Sequence, residues 1–340
     1  MIYEHNLSPA IVKLGPIEPR WYALMYIFGF ICAYFIIARH PRFKALGKTK
    51  DDAMDFLTYG FVGVLAGGRL GYILFYNLVY YLQHPYKILF IWEGGMSFHG
   101  GLIGSIVAIM LFARHKKIPL PTMFDVAALP TPVGLFFGRL GNFINGELWG
   151  KPTDGSWGVK FHEPIPASNP PMEMLGPPRH PTQLYEAALE GLLLFGLLWL
   201  ATYNTRLKPG SIGALFLLGY GCCRFAVEFN RLPDAHIGYL YGDWLTMGHV
   251  LSLPMIVGGL GLLLYFNRKA SPDYTDLEAE AAQAAVPAAA VQAEPQTDAG
   301  SAPETAPETA PETATETATE TATETATETA TETSEPQEKA

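Results

Sequence analysis

Charged residues are scarce in this chain, and its few cysteines follow no pattern that builds a site. Asp, Glu, Lys and Arg make up 16% of the residues, against roughly a quarter in soluble domains, which argues against a soluble globular protein. Cys32, Cys222 and Cys223 all lie in apolar runs without a CxxC pair. Neither a disulfide framework nor a zinc site is indicated.

Common catalytic motifs are also missing. The sequence has no HExxH, no GxSxG and no P-loop, which argues against a metalloprotease, a serine hydrolase with a nucleophile elbow and an NTP-driven pump. The first apolar run, 21 to 38, has no small-residue cleavage site after it and leads into basic residues. We therefore expect it to remain as a membrane anchor.

Long apolar stretches are the dominant feature of what is present. Seven of them are long enough to cross about 30 Å of hydrocarbon as a helix, which takes about 20 residues. The predicted spans are 21 to 38, 53 to 76, 96 to 113, 122 to 144, 183 to 203, 211 to 230 and 246 to 266. The sequence thus predicts an all-α, polytopic membrane domain over 1 to 270, with the Pro- and Gly-rich loop 145 to 182 as an irregular outer segment or small cap.

Basic residues predict the orientation of this domain. They gather in the 39 to 52 and 114 to 121 loops, and the alternation continues with Arg206, Lys208, Arg268 and Lys269. By the positive-inside rule these segments are cytoplasmic, which predicts a periplasmic N-terminus and a cytoplasmic C-terminus.

Charge is divided unevenly along the chain. Residues 1 to 270 hold 22 Lys and Arg against 16 Asp and Glu, a formal charge of +6 that suits an anionic lipid. Residues 271 to 340 carry 16 acidic residues within Ala, Thr, Glu and Pro repeats and have almost no large apolar residues. Such a segment cannot bury a core, so we expect a disordered tail without a role in chemistry.

Glycines recur at four-residue spacing inside three of the spans. They are Gly63, Gly67 and Gly71, then Gly100 and Gly104, then Gly134 and Gly138. Because such stripes let helix backbones approach closely, we interpret them as packing surfaces.

Ionisable residues inside the spans need an explanation, since each costs roughly 2.5 to 3.5 kcal/mol on insertion scales. They are Arg69, Arg139, Glu186, Glu190, Arg224 and Glu228. Mutual ion pairing for packing is one explanation. However, the predicted topology brings polar residues of six spans to the outer leaflet, whereas independent pairs would scatter, and this favours an active site there.

A polar stripe runs along the end of the sixth span. Tyr220, Arg224, Glu228 and Arg231 are separated by four, four and three residues, so they share one helix face. Glu228 could brace both arginines, and the stripe would keep a net positive charge. A guanidinium binds phosphate oxygens bidentately, so the stripe predicts an anionic phosphate as its ligand.

Two other spans supply candidates for the same end. On the fourth, Arg139 and Asn142 add a second cation with an amide beside it. His99 begins the third span, where a neutral imidazole could accept a proton near pH 7 or could simply lock the helix start. Tyr22 follows Trp21 at the start of the first span, a position typical of aromatic membrane anchors.

Several motifs resemble one enzyme family. GRLGNFINGELWG, Gly138 to Gly150, resembles the full signature of prolipoprotein diacylglyceryl transferases. HGGLIG from His99, HPTQLYE from His180 and RFAVEFNRLPDAH from Arg224 follow in that family's order and spacing. The resemblance covers about 1 to 268 and leaves out the tail.

The resemblance implies a bacterial inner-membrane enzyme acting at the outer leaflet. It would transfer sn-1,2-diacylglyceryl from phosphatidylglycerol to the lipobox cysteine of a preprolipoprotein signal peptide, forming a thioether and releasing sn-glycerol 1-phosphate. Its partners would be these substrates and the lipid bilayer, without nucleic acid, metal or cofactor. By position Arg139 would bind the lipid phosphate, and the other matching positions are Asn142, Glu147, Gly150, Tyr22, His99, Tyr220, Arg224, Glu228 and Arg231.

The identity of the base stays open at this point. Since the thiolate is the nucleophile, either a base or a positive field must ionise the thiol. His99 is the candidate base, and Arg224 is the alternative, acting through its field.

Two other functions are alternatives to this transfer reaction. An anion transporter or channel would need polar groups at midplane and access from both sides, whereas the cytoplasmic halves look nearly bare of ionisable residues. An inactive lipid-binding scaffold is disfavoured because the signature is intact.

Overall fold

The computed structural model describes residues 2–13, 18–164, 173–204, 207–233 and 237–268. The tail predicted for 271 to 340 lies outside these residues, as do Arg206, Lys269 and the last three residues of the RFAVEFNRLPDAH motif. The proposed domain boundary at residue 270 therefore stays a prediction.

Seven helical segments of the described chain are long and apolar enough to cross a membrane. They are Trp21–Arg39, Lys50–Tyr76, Phe98–His115, Leu120–Asn145, Thr182–Thr202, Ser211–Glu228 and Met247–Arg268. Their ends lie within three residues of the predicted ones, and the predicted all-α polytopic fold is confirmed. The orientation of the termini stays a prediction.

Five of these segments are single helices, and two are composite. The single ones are α1 (Trp21–Arg39), α3 (Lys50–Tyr76), α5 (Phe98–His115), α10 (Ser211–Glu228) and α11 (Met247–Arg268), and the short α2 (Pro41–Ala45) and α4 (Leu78–Gln83) lie between them. The fourth span consists of α6 (Leu120–Ala128) and α7 (Thr131–Asn145). They meet at Pro130, which lacks an N–H and cannot continue the hydrogen-bond ladder. The fifth consists of α8 (Thr182–Glu186), a π-helical turn (Ala187–Leu193) and α9 (Leu194–Thr202).

Local sequence accounts for several helix ends. Thr49 and Asp52 form a reciprocal capping box at the start of α3. Ser97 accepts a hydrogen bond from the Gly100 N–H at the start of α5. Gly146 caps the C-terminal end of α7, and its φ of 68° favours glycine.

The glycine stripes of α3 and α5 pack as predicted. A Cβ on Gly67 would lie 2.7 Å from the Gly104 Cα, and one on Gly71 equally close to the Gly100 Cα. The prediction is wrong for Gly134 and Gly138, because a Cβ on either would meet no atom within 4 Å. These two glycines leave open space beside α7.

The loop 145 to 182 is more ordered than predicted. It forms β2 (Val159–Pro164) and β3 (Glu173–Arg179), which pair antiparallel, and β1 (Tyr3–Glu4) adds to β2 in parallel. The prediction of an irregular segment is wrong over these strands. Val159 and Phe161 are buried while His162 is exposed, and this alternation of faces is what a half-buried strand requires.

The end of the bundle away from Tyr22 contains a buried ion pair. Arg42 donates to Asp125 over 2.6 Å, and the Asp125 carboxylate also accepts from the backbone N–H groups of Gly210 and Gly213. Sequence reasoning missed Asp125 when it described these halves of the spans as nearly bare of ionisable residues. Since this carboxylate joins α2, α6 and α10, its evident role is structural.

Candidate active site

Three arginines surround one buried glutamate at the end of the bundle where the first span begins. Glu186, fully buried, accepts hydrogen bonds from Arg224 over 3.1 Å and from Arg231 over 2.7 Å. Its other oxygen lies 3.1 Å from the Nε of Arg139. The side chains of the arginines remain 16 to 19% exposed. The cluster therefore holds its cations from inside while one face stays accessible.

Glu228 braces two of these arginines, as predicted. One of its oxygens lies 2.7 Å from Arg224 Nη2 and 3.3 Å from Arg231 Nε. The stripe on α10 was also expected to keep a net positive charge. The stripe itself carries two arginines and one glutamate, but Arg139, Glu186 and Glu190 from the neighbouring spans bring the formal balance of the whole cluster to three arginines and three glutamates.

Glu190 is held much more loosely than Glu186. It is fully buried, yet neither of its oxygens accepts a hydrogen bond within the described chain, and the closest cation is Arg139 Nη2 at 3.8 Å. The π-helical turn begins directly after Glu186 and contains Glu190. Such turns often occur at functional sites.

The segment after α7 is folded around Glu147. Both Asn142 and Asn145 donate side-chain amide hydrogens to its carboxylate, over 3.0 and 3.1 Å. Gln183 donates to its backbone carbonyl over 2.5 Å. The sequence-predicted residues Asn142 and Glu147 are thus direct partners, and Gln183 ties them to the fifth span.

Gly150 touches the arginine cluster through its backbone. It forms an isolated β-bridge with Arg231, and its N–H donates to the His180 carbonyl over 2.9 Å. A Cβ here would lie 2.6 Å from a methyl group of Thr182. The site requires glycine at this position because no side chain fits between these segments.

An apolar groove of about 700 Å³ ends beside Arg139. Its walls come from α1, α3, α5 and α7, and the open faces of Gly134 and Gly138 line it. Arg139, Asn142 and the hydroxyls of two tyrosines supply the polar groups at its end; the tyrosines are Tyr22 and Tyr26, whose oxygens lie 3.2 Å apart. From Tyr22 to Ile37, which are 15 helical steps apart on α1, the groove extends roughly 22 Å.

The structure brings some of the predicted residues together and leaves others apart. His99 is exposed, and its ring lies 5.6 Å from the ring of Phe98 between centroids. Tyr220 lies one turn before Arg224, but its ring stacks on Phe216 and packs against an apolar cluster. Neither joins the hydrogen-bond network of the arginines.

Arg69 was grouped with the polar residues of the outer leaflet, and the structure gives it a different role. It is 4% exposed and donates to five backbone carbonyls, those of Lys87, Ile88, Phe90, Gly94 and Gly95. Arg69 therefore holds the segment between α4 and α5, so its role is structural, through backbone carbonyls and not through the mutual ion pairing considered for it.

Sequence reasoning missed several residues that complete this end of the molecule. Thr246 donates to Glu228 over 2.7 Å, and His249 contacts Thr246. His5 lies 2.7 Å from the Phe143 carbonyl, and burial lowers the pKa of its imidazole. The sequence marked Glu186 and Glu190 as carboxylates within an apolar span, although it gave them no role in the site. It gave no such indication for Thr246, His249 or His5.

Comparison with known proteins gives the same assignment as the motifs. The family model for prolipoprotein diacylglyceryl transferase matches residues 9–265. The phosphatidylglycerol--prolipoprotein diacylglyceryl transferase of Geobacter sulfurreducens is 50% identical over 264 residues, which cover 78% of this chain and 97% of that protein. The protein of the same name from Bordetella parapertussis is 46% identical over 272 residues, 80% of this chain and 100% of its own length.

Seven apolar helices, an apolar groove and a cluster of arginines at its end define a multi-pass membrane protein with a charged site. The family match extends over most of the chain and includes every residue described for this site except His5. The chain belongs to the prolipoprotein diacylglyceryl transferase family and is a transferase.

Proposed function

We propose that this protein transfers the diacylglyceryl group of phosphatidylglycerol to the lipobox cysteine of preprolipoproteins, the first step of lipoprotein maturation. The observation that carries the proposal is the apolar groove that ends at Arg139 and Asn142. An acyl chain fits apolar walls, and a lipid phosphate fits a guanidinium at their end. The roughly 22 Å of groove along α1 exceeds the ~15 Å depth of one leaflet, so it accommodates a lipid tail.

In this reaction the cysteine sulfur forms a bond to the carbon of the diacylglyceryl group that carries the phosphate. The carbon–oxygen bond to the phosphate breaks, its electron pair stays on the oxygen, and sn-glycerol 1-phosphate leaves. Charge grows on the phosphate oxygens as this happens. Arg139, Arg224 and Arg231, held in place by Glu186, are donors fixed before the reaction, which is the arrangement that stabilises such charge most effectively.

The thiol proton must leave before or during attack. His99 is the candidate base, and its exposure at the start of α5 makes it accessible to a peptide arriving from the lipid. Arg224 is the alternative, since a nearby guanidinium favours the thiolate without taking the proton, even though the cluster as a whole is formally balanced. Tyr22 and the Asn142–Glu147 pair shape the phosphate end of the groove.

The proposal includes a topology, with the protein in the bacterial inner membrane and the arginine cluster at the outer leaflet. Basic residues between the first two spans and between the third and fourth support this orientation. The lipobox would then meet the site after the signal peptide has entered the membrane. A reporter that is active only in the periplasm, fused after residue 268, should be inactive, and activity there would reverse the orientation.

The decisive experiment uses purified protein in phosphatidylglycerol vesicles with a lipobox peptide. We expect equal amounts of glycerol phosphate and of peptide whose mass has increased by one diacylglyceryl group. A peptide with serine in place of the cysteine is the matched control and should release nothing. Release that is independent of the cysteine would contradict thioether formation, and no release with either peptide would contradict the function.

A further inference from the structure

The carboxylate of Glu228 is seated by three residues at the start of the last helix. Thr246 directly precedes α11, and its hydroxyl donates to Glu228 Oε1 over 2.7 Å. Thr246 and Glu228 are 2% and 4% exposed, so water hardly competes for this bond. The other Glu228 oxygen faces Arg224 and Arg231. The threonine therefore fixes the side of the carboxylate that the arginines leave free.

His249 holds the threonine in turn. Its Nδ1 lies 3.3 Å from the Thr246 backbone nitrogen and 3.1 Å from the Thr246 hydroxyl oxygen. His249 is the third residue after the N-cap Thr246. At this position a glutamate or glutamine side chain usually completes a capping box, and here the imidazole takes that position. The imidazole is fully buried among three aromatic rings, with centroids 4.6 Å away for Phe229 and 4.8 Å for Phe225. It cannot swing away from Thr246 without displacing these rings.

Gly248 provides the space that the carboxylate needs. A Cβ at this position would overlap the carboxyl group of Glu228. The hydroxyl of Thr246 donates to the carboxylate, Gly248 leaves space for it, and His249 holds Thr246 in place. These three residues lie within four consecutive positions, Thr246 to His249, and all of them act on the Glu228 side chain.

We propose that Thr246, Gly248 and His249 form a positioning site that orients Glu228, and through it Arg224 and Arg231, for diacylglyceryl transfer. None of the three residues touches the groove, so they act only through Glu228. This inference rests on the proposed function for its activity readout. It also predicts an energetic coupling that can be measured without any reaction.

The first test compares two variants of one position in the vesicle assay. Thr246→Val keeps the shape and removes the hydroxyl, whereas Thr246→Ser keeps the hydroxyl and removes a methyl group. We expect Val to lower kcat/KM by roughly ten- to hundredfold, the range for a hydrogen bond to a charged group, and Ser to restore most of it. A packing role predicts the opposite order, since valine fills the site and serine does not.

Thr202→Val is the matched control. Thr202 is also buried, but its hydroxyl donates to the Leu198 carbonyl one turn back in its own helix, far from the cluster. This variant should keep wild-type activity. Wild-type activity in Thr246→Val, or an equal loss in the Ser variant, would overturn the positioning role. An inactive wild-type protein would contradict the proposed function instead.

The second test is independent of activity. The unfolding midpoints of Thr246→Val, Glu228→Gln and the double variant form a cycle in detergent. If the threonine acts through Glu228, the double variant loses clearly less than the two single losses added together, because residues that share a contact are not additive. Additive losses would overturn the inference even if the assay detected no reaction.

Discussion

Arg231 donates to the carboxylate of Glu186 over 2.7 Å, although the two residues are 45 positions apart and Arg231 lies just beyond the end of the sixth span. The same oxygen accepts from Arg224, and the second oxygen faces Arg139. One buried carboxylate thus connects the fourth, fifth and sixth spans at the end of the groove. Removal of its charge should disturb all three cations at once.

Glu186→Gln should therefore lower both stability and activity. Loss of one partner of a buried ion pair leaves its partners uncompensated and typically costs about 3 to 5 kcal/mol. Glu190→Gln is the comparison on the same helical segment, and it should lower stability and activity much less because Glu190 accepts no hydrogen bond from the residues that the structure describes. Unfolding midpoints and turnover of both variants check this. Equal losses of stability and turnover in the two variants would contradict the role of Glu186 as the shared partner of the three arginines.

Arg139→Ala should abolish transfer while the protein still inserts into the membrane. Arg139 lines the groove, and its loss would remove the proposed phosphate contact without altering the apolar spans. Arg139→Lys should also fail largely, because a point charge cannot replace the planar fork. Arg114, exposed on α5, provides the control as Arg114→Ala. Turnover is measured in vesicles, and near-normal rates for both Arg139 variants would refute the phosphate assignment.

His99→Gln separates the two routes to the thiolate. If His99 is the base, the variant should lower the maximal rate and lose the fall in rate that protonation of an imidazole causes as pH drops. His115→Gln changes the histidine at the opposite end of the same helix and should behave as wild type. The measurement is rate against pH, with Arg224→Gln alongside to report the field of the cluster. An unchanged profile in His99→Gln would leave the arginines as the activating groups.

His40 should make the protein sensitive to acid. Its ring is 1% exposed and neither nitrogen has a hydrogen-bond partner in the described chain. Burial, reinforced by the Arg42 charge, lowers its pKa from 6.5 to about 3. The unfolded state thus binds the proton first, so stability is complete above pH 6.5 and falls between 6.5 and 3, by up to about 1.4 kcal/mol per pH unit.

His40→Leu tests this. Its unfolding midpoint should fall less than that of wild type between pH 7 and pH 5, and His115→Leu should fall as wild type does. Parallel curves for wild type and His40→Leu would show that His40 already binds its proton in the folded state.

Deletion of residues 273 to 340 should leave transfer unchanged. The family match ends at residue 265, and the Bordetella parapertussis protein aligns over its full length with 80% of this chain. About a fifth of this chain therefore has no counterpart in that protein. Turnover of the truncated protein in vesicles is the measurement, and a large loss despite correct insertion would contradict this.

Much of this protein followed from residue order alone. The seven spans were predictable because a run of about 20 apolar residues is a local property of the sequence, and it is sufficient for a helix to cross the hydrocarbon core. The stripe on α10 was predictable for a similar reason, since helical periodicity places Arg224 and Glu228 on one face whatever surrounds them. Arg231 lies beyond the end of α10, in a β-bridge with Gly150, and still approaches Glu228. The signature from Gly138 to Gly150 carried the family assignment.

Tertiary structure alone decided which partners these residues have. Glu186 could have been a packing ion pair, and only the approach of the fourth, fifth and sixth spans makes it the shared partner of three arginines. Arg69 is also a charged residue within an apolar span, but the structure gives it backbone carbonyls as partners and no place in the arginine cluster. Gly134 and Gly138 have the spacing of a packing stripe, yet they face the groove. Sequence spacing determines which face a residue occupies, whereas what that face meets depends on contacts between distant segments.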